Sequence, residues 1–262
     1  MQKRPLGSTG MHVSPIGLGT VKLGRRTGLK YPSTFELPSD EQVNELFDCA
    51  KSLGINAIDT APAYGTSEQR LGELLERRGD RDDWLLFTKA GEFFDDDTGA
   101  STFDFSERGV LDNAHRSLDR LCAAQVELIC VHSDGNDEAI LRDGSAIRAL
   151  RTLRERGLTA AIGFSPKTPQ GAAEAIEVCD IVMLELSLDR RAMLPLIVRA
   201  RERGVGVLIK KALGSGHADP AASLRFALGS PWSEAVSSVI VGTINPEHLG
   251  QNVVHATDGI TR

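Results

Sequence analysis

Ile55-Asn-Ala-Ile-Asp59-Thr-Ala-Pro-Ala-Tyr64-Gly-Thr-Ser-Glu-Gln-Arg-Leu-Gly72 carries three signals in one stretch. A short apolar run ends on the acid Asp59. A Pro-containing loop then presents Tyr64, and Thr66-Ser-Glu-Gln69 has the spacing of a capping box that starts a helix. Strand, loop and helix in that order form the unit from which parallel sheets with crossover helices are assembled.

The pattern continues outward in both directions. Upstream, Ser39-Asp-Glu-Gln42 is a second capping box. Val43, Leu46, Phe47, Ala50 and Leu53 follow as one apolar stripe, and Gly54 supplies the stop. That helix is expected to pack on the outside of a sheet. Eight short apolar runs alternate with such helical segments, around residues 15–19, 56–60, 84–89, 126–132, 160–164, 181–186, 206–211 and 238–242. Eight units can close into a barrel or spread into an open doubly wound sheet, and periodicity does not choose between them. Gly17-Leu-Gly19 does not continue into the Gly-x-Gly-x-x-Gly of an open dinucleotide fold.

A chain of 262 residues, 41% hydrophobic, is long enough for one large core, and residues 1–262 are expected to form a single domain. Its net charge of -6 argues against nucleic acid or an anionic membrane as partner, because phosphates demand a basic face. Cys49, Cys122, Cys130 and Cys179 are widely spaced and predict reduced, mostly buried thiols. Met1-Gln-Lys-Arg-Pro lacks a signal peptide's apolar run, and no stretch has the ~20 apolar residues of a membrane span, so a cytoplasmic location is expected. The histidines show no metal-ligand spacing, and no metal is expected. Asp95-Asp96-Asp97 lacks the remaining positions of a calcium loop and reads as a solvated acidic loop. No Gly-x-Ser-x-Gly elbow supports nucleophilic serine chemistry.

With Thr88-Lys89-Ala90-Gly91, Leu128-Ile-Cys-Val-His132 and Val241-Gly-Thr-Ile-Asn245-Pro-Glu-His-Leu following in order, the stretch around Asp59 and Tyr64 resembles the signature of the aldo/keto reductases. The resemblance runs over nearly the whole chain and implies a (β/α)8 TIM barrel. It also implies that Arg4 to Pro15, turn-rich between extended flanks, is a hairpin covering the barrel's N-terminal end. Residues 92–106, without clear period, read as a long loop over the active mouth.

Asp59, Lys89 and His132 fall at the C-terminal ends of expected strands, with Tyr64 just beyond, where barrel enzymes gather catalytic groups. Reduction of a carbonyl by hydride leaves negative charge on oxygen, which needs a proton. Tyr64 is assigned as general acid in reduction and base in oxidation, with its phenolate stabilised by Lys89. Asp59 holds Lys89 charged, and a neutral His132 orients the substrate oxygen. These roles match the family's tetrad. Taken singly, Lys89 reads as a solvated strand-end charge and His132 as a structural hydrogen-bonding group.

Gly242-Thr243-Ile244-Asn245-Pro246 ends the last run and opens a helix, whose free N–H groups form an anion site. The resemblance implies that the 2′-phosphate of NADP sits there, with Asn252 near the adenine. Gly242 and His248 stand where many members have Lys and Arg, which weakens the clamp, but Thr243, Asn245 and the helix N-terminus can still bind phosphate, so NADP(H) is favoured and NAD(H) is the second choice. At the nicotinamide end Ser165 is retained, while Pro166, Met183 and Lys210 replace the usual amide, Gln and stacking aromatic. Lys210 or Lys211 is expected to reach the pyrophosphate. The resemblance places Thr20 near the ribose, and Leu213 and Ser215 along the pyrophosphate. Phe93, Phe94 and Trp232 are candidate apolar walls. The expected activity is NAD(P)H-dependent reduction of a small-molecule aldehyde or ketone by a monomer. The alternatives are an NAD-linked sugar or polyol dehydrogenase and a slow-turnover nucleotide-binding redox-sensor subunit.

Overall fold

The computed structural model describes residues 1–95, 98–229 and 231–260, so Asp96 and Asp97 of the acidic run lie outside the described residues. A two-stranded antiparallel hairpin, β1 (Arg4–Pro5) and β2 (His12–Val13), comes first. Then follow β3 (Ile16–Gly19), β4 (Ala57–Asp59) and β5 (Leu85–Ala90). A second hairpin, β6 (Glu92–Asp95) and β7 (Ala100–Phe103), interrupts the series. It resumes with β8 (Val126–His132), β9 (Thr159–Ser165), β10 (Ile181–Glu185), β11 (Gly206–Lys210) and β12 (Ser238–Val241). Apart from the two hairpins these strands pair in parallel, and β12 returns to β3 to close an eight-stranded barrel ringed by helices.

Both faces of each barrel strand are buried, which explains the nearly continuous apolar runs. One set of residues, including Leu18, Ile58, Leu86, Ile129, Phe164 and Ile209, packs outward against the helices. The alternate set, including Ala57, Phe87, Leu128, Ala161, Met183 and Leu208, fills the barrel interior. Space inside is limited: a Cβ at Gly163 would stand 2.5 Å from Cys130 Sγ.

The helix Asp40–Ser52 has the expected capping box, with Gln42 N donating to Ser39 Oγ and Ser39 N to Gln42 Oε1. Val43, Leu46, Phe47 and Ala50 are buried, and Gly54 takes φ 78° after the last turn. The second expected box is not formed. Thr66 has φ -82° and ψ 6°, a turn conformation from which its hydroxyl does not reach the helix amides. The start of helix Ser67–Arg78 is held instead by packing on Gly24, where a Cβ would lie 2.0 Å from Ser67 N, and by the Ser67 hydroxyl on the Thr20 carbonyl. Residues 92–106 also differ from expectation. Of these, Glu92–Asp95 and Ala100–Phe103 pair as the β6–β7 hairpin where a long loop was expected, and Arg25 lies over the Phe94 ring at 3.8 Å. Of the thiols, Cys130 and Cys179 are buried, Cys49 is half-buried and Cys122 is exposed.

The N-terminal hairpin closes the bottom of the barrel. Leu6 and Val13 are fully buried against Ala57, Phe87 and Leu208. Leu6→Ala is expected to lower the unfolding free energy by about 2–5 kcal/mol in a urea titration. A loss under about 1 kcal/mol would show that the hairpin is not a plug.

Candidate active site

Strand alternation places Asp59, Lys89, His132, Ser165 and Lys210 in register with the interior set, two residues beyond its last apolar members. The apolar filling therefore ends in a polar layer at the C-terminal face. Lys89 Nζ donates to Asp59 Oδ1 at 2.8 Å, to Asp59 Oδ2 at 2.9 Å and to the Thr60 carbonyl at 2.8 Å, so its three hydrogens are all engaged. Lys89 is 1% exposed and Asp59 3%. Burial alone would depress the ammonium, but Asp59 and then Tyr64 outweigh it and hold Lys89 charged. Burial pushes the Asp59 carboxyl up, with Lys89 pulling it back.

Tyr64 follows β4 on a turn closed by its own N–H to the Ala61 carbonyl, and its ring centroid lies 4.9 Å from Lys89 Nζ. Burial pushes the phenol up. Lys89 opposes that shift, while Asp59 and Glu92 add to it. Lys89 thus favours the phenolate, but burial and the two carboxylates together outweigh it. Its charge is already shared with Asp59, and two carboxylates face the ring. His132 is pushed down to about 4, first by burial and against the pull of Glu92, so the imidazole is neutral at ordinary pH.

Lys210 turns inward and donates to Ser165 Oγ at 2.6 Å and to the Pro166 carbonyl at 3.0 Å. Burial, and then Lys211 beside it, push Lys210 down to about 7. Lys211 points out to Glu185 at 2.9 Å.

These groups line a cavity of about 360 Å³ at the C-terminal mouth, which also takes in Thr20, Met183, Leu213, Ser215 and Gly242. Lys22, Lys30, Lys89, Lys167, Lys210 and Lys211 all border it, against the single acid Asp59. A chain of net charge -6 thus concentrates positive charge at one mouth, as binding an anionic dinucleotide requires. A larger cleft of about 760 Å³ lies at the opposite end, beside Arg4, Gly7, Arg201 and Glu234. It contains none of the polar layer.

The sequence model of the Aldo/keto reductase family matches residues 15–223. The chain belongs to the aldo/keto reductase family. A Pseudomonas aeruginosa structure described as an aldo-keto reductase is 45% identical, covers 98% of this chain and 95% of its own, and superposes with a TM-score of 0.88. An uncharacterized oxidoreductase of Bacillus subtilis is 29% identical over 82% of this chain and 66% of its own length. The D-threo-aldose 1-dehydrogenase of a Pseudomonas species is 24% identical over 95% of this chain and 91% of its own. NAD(P)-dependent carbonyl reduction is the general activity of the family, and this aldo/keto reductase is an NAD(P)-dependent oxidoreductase of that type.

Several residues of this reductase stand differently from expectation. Thr20 borders the cavity, but its hydroxyl donates to the Asp59 carbonyl at 3.0 Å and ties β3 to β4. Thr243, Asn245, His248 and Asn252 are not among the cavity's lining residues. Asn245 caps its own helix, its Oδ1 accepting from Glu247 N at 2.8 Å and His248 N at 3.2 Å, so those amides are not free for an anion. Asn252 is 5% exposed. Trp232 packs edge-on against Phe226, ahead of β12 and away from the mouth, and Phe94 sits under Arg25. Sequence reading missed Glu92, 2.6 Å from His132 Nδ1, as well as Lys22, Tyr31 and Lys167 at the rim. They lie on loops, a hairpin and the four-residue helix Val21–Gly24, all too short or irregular for a period to mark them. Among the described residues no cluster of metal-ligating side chains occurs and no helix is long and apolar enough to cross a membrane.

Because Lys210 titrates lower folded than unfolded, the unfolded chain binds more protons between the two values, and stability rises with pH across that window. Lys210→Met is therefore expected to raise the urea midpoint more at about pH 6 than at about pH 9.5. Equal gains would show that the amine titrates normally in the fold.

Proposed function

We propose that this aldo/keto reductase reduces an aldehyde or ketone to the alcohol, with NADPH favoured over NADH, through Asp59, Tyr64, Lys89 and His132. The observation that carries the reading is the buried Lys89 ammonium, locked to Asp59 and Thr60 beneath Tyr64 at the cavity floor. The residues present fit a dinucleotide: Ser165 and Lys210 for the nicotinamide end, Thr20, Leu213, Ser215 and Gly242 along the cavity, and Thr243, Asn245, His248 and Asn252 for the adenosine end. When bound, the cofactor supplies the hydride.

Tyr64 donates the proton. Its phenol is pushed up and so is fully protonated at neutral pH. A developing alkoxide is far more basic than phenolate, so the transfer still runs downhill. Lys89 and Asp59 keep a fixed dipole under the ring, and His132 lines the cavity where the substrate oxygen is oriented. The NADPH preference rests on Thr243, Asn245 and His248 beyond Gly242, where the 2′-phosphate would displace the Asn245 cap or bind beside it. Residues 1–262 are read as one domain, acting as a cytoplasmic monomer on a small carbonyl compound, without nucleic acid or membrane as partner. A second reading, oxidation of a sugar or polyol, is favoured by the likeness to the D-threo-aldose 1-dehydrogenase.

Initial rates of NADPH and NADH oxidation with a reactive aromatic aldehyde test the proposal. Tyr64→Phe is expected to lose about 10²–10⁴-fold in turnover while remaining folded. Near-normal turnover of that variant would remove Tyr64 from the reaction, and equal affinity for the two cofactors would remove the NADPH preference.

A further inference from the structure

The lysines that border the mouth cavity are not alike. Lys89 gives its three hydrogens to Asp59 and the Thr60 carbonyl and is held charged. Lys211 pairs with Glu185, while Lys22 and Lys167 lie over the rings of Tyr31 and Phe103 at 4.0 Å and 5.8 Å. Lys210, the last residue of β11, has neutral partners instead: Ser165 Oγ at 2.6 Å and the Pro166 carbonyl at 3.0 Å. Those are two acceptors, and a neutral amine has two hydrogens. With both engaged, the nitrogen lone pair is left over, on a half-buried side chain that lines the cavity.

The surroundings favour that neutral form. Burial, then Lys211 beside it and Lys89 from β5, lower the amine to about 7 against the pull of Glu185 on β10 and Asp137 on the helix after β8. Asp59 faces it from β4, and from β8 come a neutral His132 and the protonated Cys130 thiol. Roughly half of the amine is therefore free base at neutral pH, where a lysine in water has about one part in a thousand. We propose that Lys210 is a nucleophile: in the cofactor-free protein its Nζ condenses with a small aldehyde in the cavity to form an imine.

The lone pair forms the N–C bond at the carbonyl carbon, while the C=O π pair moves to oxygen and takes up one N–H proton, giving a carbinolamine. The C–O bond then breaks as nitrogen forms C=N, and the oxygen leaves as water with the second amine proton. Nothing is oxidised or reduced, and water reverses the step. An aldehyde suits it better than a ketone, whose second substituent crowds the carbon. The cavity, about 360 Å³, has room for an aromatic ring. The inference goes beyond the proposed reduction and does not depend on it. The two meet at one point: with the nicotinamide end of the cofactor at Ser165 and Lys210, imine and cofactor exclude each other, and excess aldehyde withdraws free enzyme from turnover.

Benzaldehyde and cyanoborohydride, added to the cofactor-free protein near neutral pH, convert an imine into a stable secondary amine that peptide mass spectrometry locates. Lys210 is expected to acquire the benzyl group at least about tenfold faster than the exposed Lys3, because more of its amine is free. Labelling of Lys210 no faster than that of Lys3 overturns the proposal, and this outcome needs no variant to fold. In Lys210→Met the fast phase of labelling should disappear, and its persistence would also overturn the assignment. Saturating NADP⁺ should abolish the lead of Lys210 and leave Lys3 unaffected. Fast labelling of Lys210 with NADP⁺ bound would instead remove this residue from the nicotinamide end while leaving the imine standing.

Discussion

The Lys89–Asp59 ion pair is the constraint around which this barrel is organised. An ammonium taken out of water is tolerated only with its charge matched and its hydrogens engaged, and Asp59 with the Thr60 carbonyl does both. The pair needs β4 beside β5 with both side chains directed inward, and the register of those strands provides it. It also needs a barrel plugged elsewhere, which the N-terminal hairpin accomplishes from below with Leu6 and Val13. The pair forms the boundary between the apolar filling of the lower barrel and the polar mouth.

Above the pair, electrostatics and burial oppose each other. Lysines crowd the rim of an acidic protein, yet the titratable groups nearest the floor avoid like charge. Lys210 is pushed down toward neutrality and His132 is neutral. Glu92 and Asp59 supply the negative charges that act on Tyr64. At the outer end, Asn245 satisfies the amides of its own helix. A phosphate there has to displace that cap or bind beside it.

The strands were readable because most announced themselves as short apolar runs, while their closure into a barrel was implied by the family resemblance, and alternation carried Asp59, Lys89 and His132 to the inner face. Where alternation gave no guide, reading failed. Thr66 matched a capping box by spacing, but close packing on Gly24 set its backbone. Glu92 carried no signal because its contact with His132 is long-range, from β6 to β8. Either Lys210 or Lys211 was expected to reach the pyrophosphate from its charge, and alternation separates them, with Lys210 inward on Ser165 and Lys211 outward on Glu185. The aromatic Trp232 invited a place at the pocket, and the chain path instead leaves it ahead of β12.

If the ion pair exists for chemistry and not for stability, removing both charges is tolerated by the fold and not by the reaction. The decisive measurement is a double-mutant cycle of Asp59→Leu and Lys89→Met, read by urea unfolding and by aldehyde-dependent NADPH oxidation. Each single variant is expected to lose about 3–5 kcal/mol, and the double variant to recover most of that, while turnover falls at least about 100-fold in all three. A double variant that keeps its turnover, or one no more stable than the singles, would contradict a functional origin for the pair.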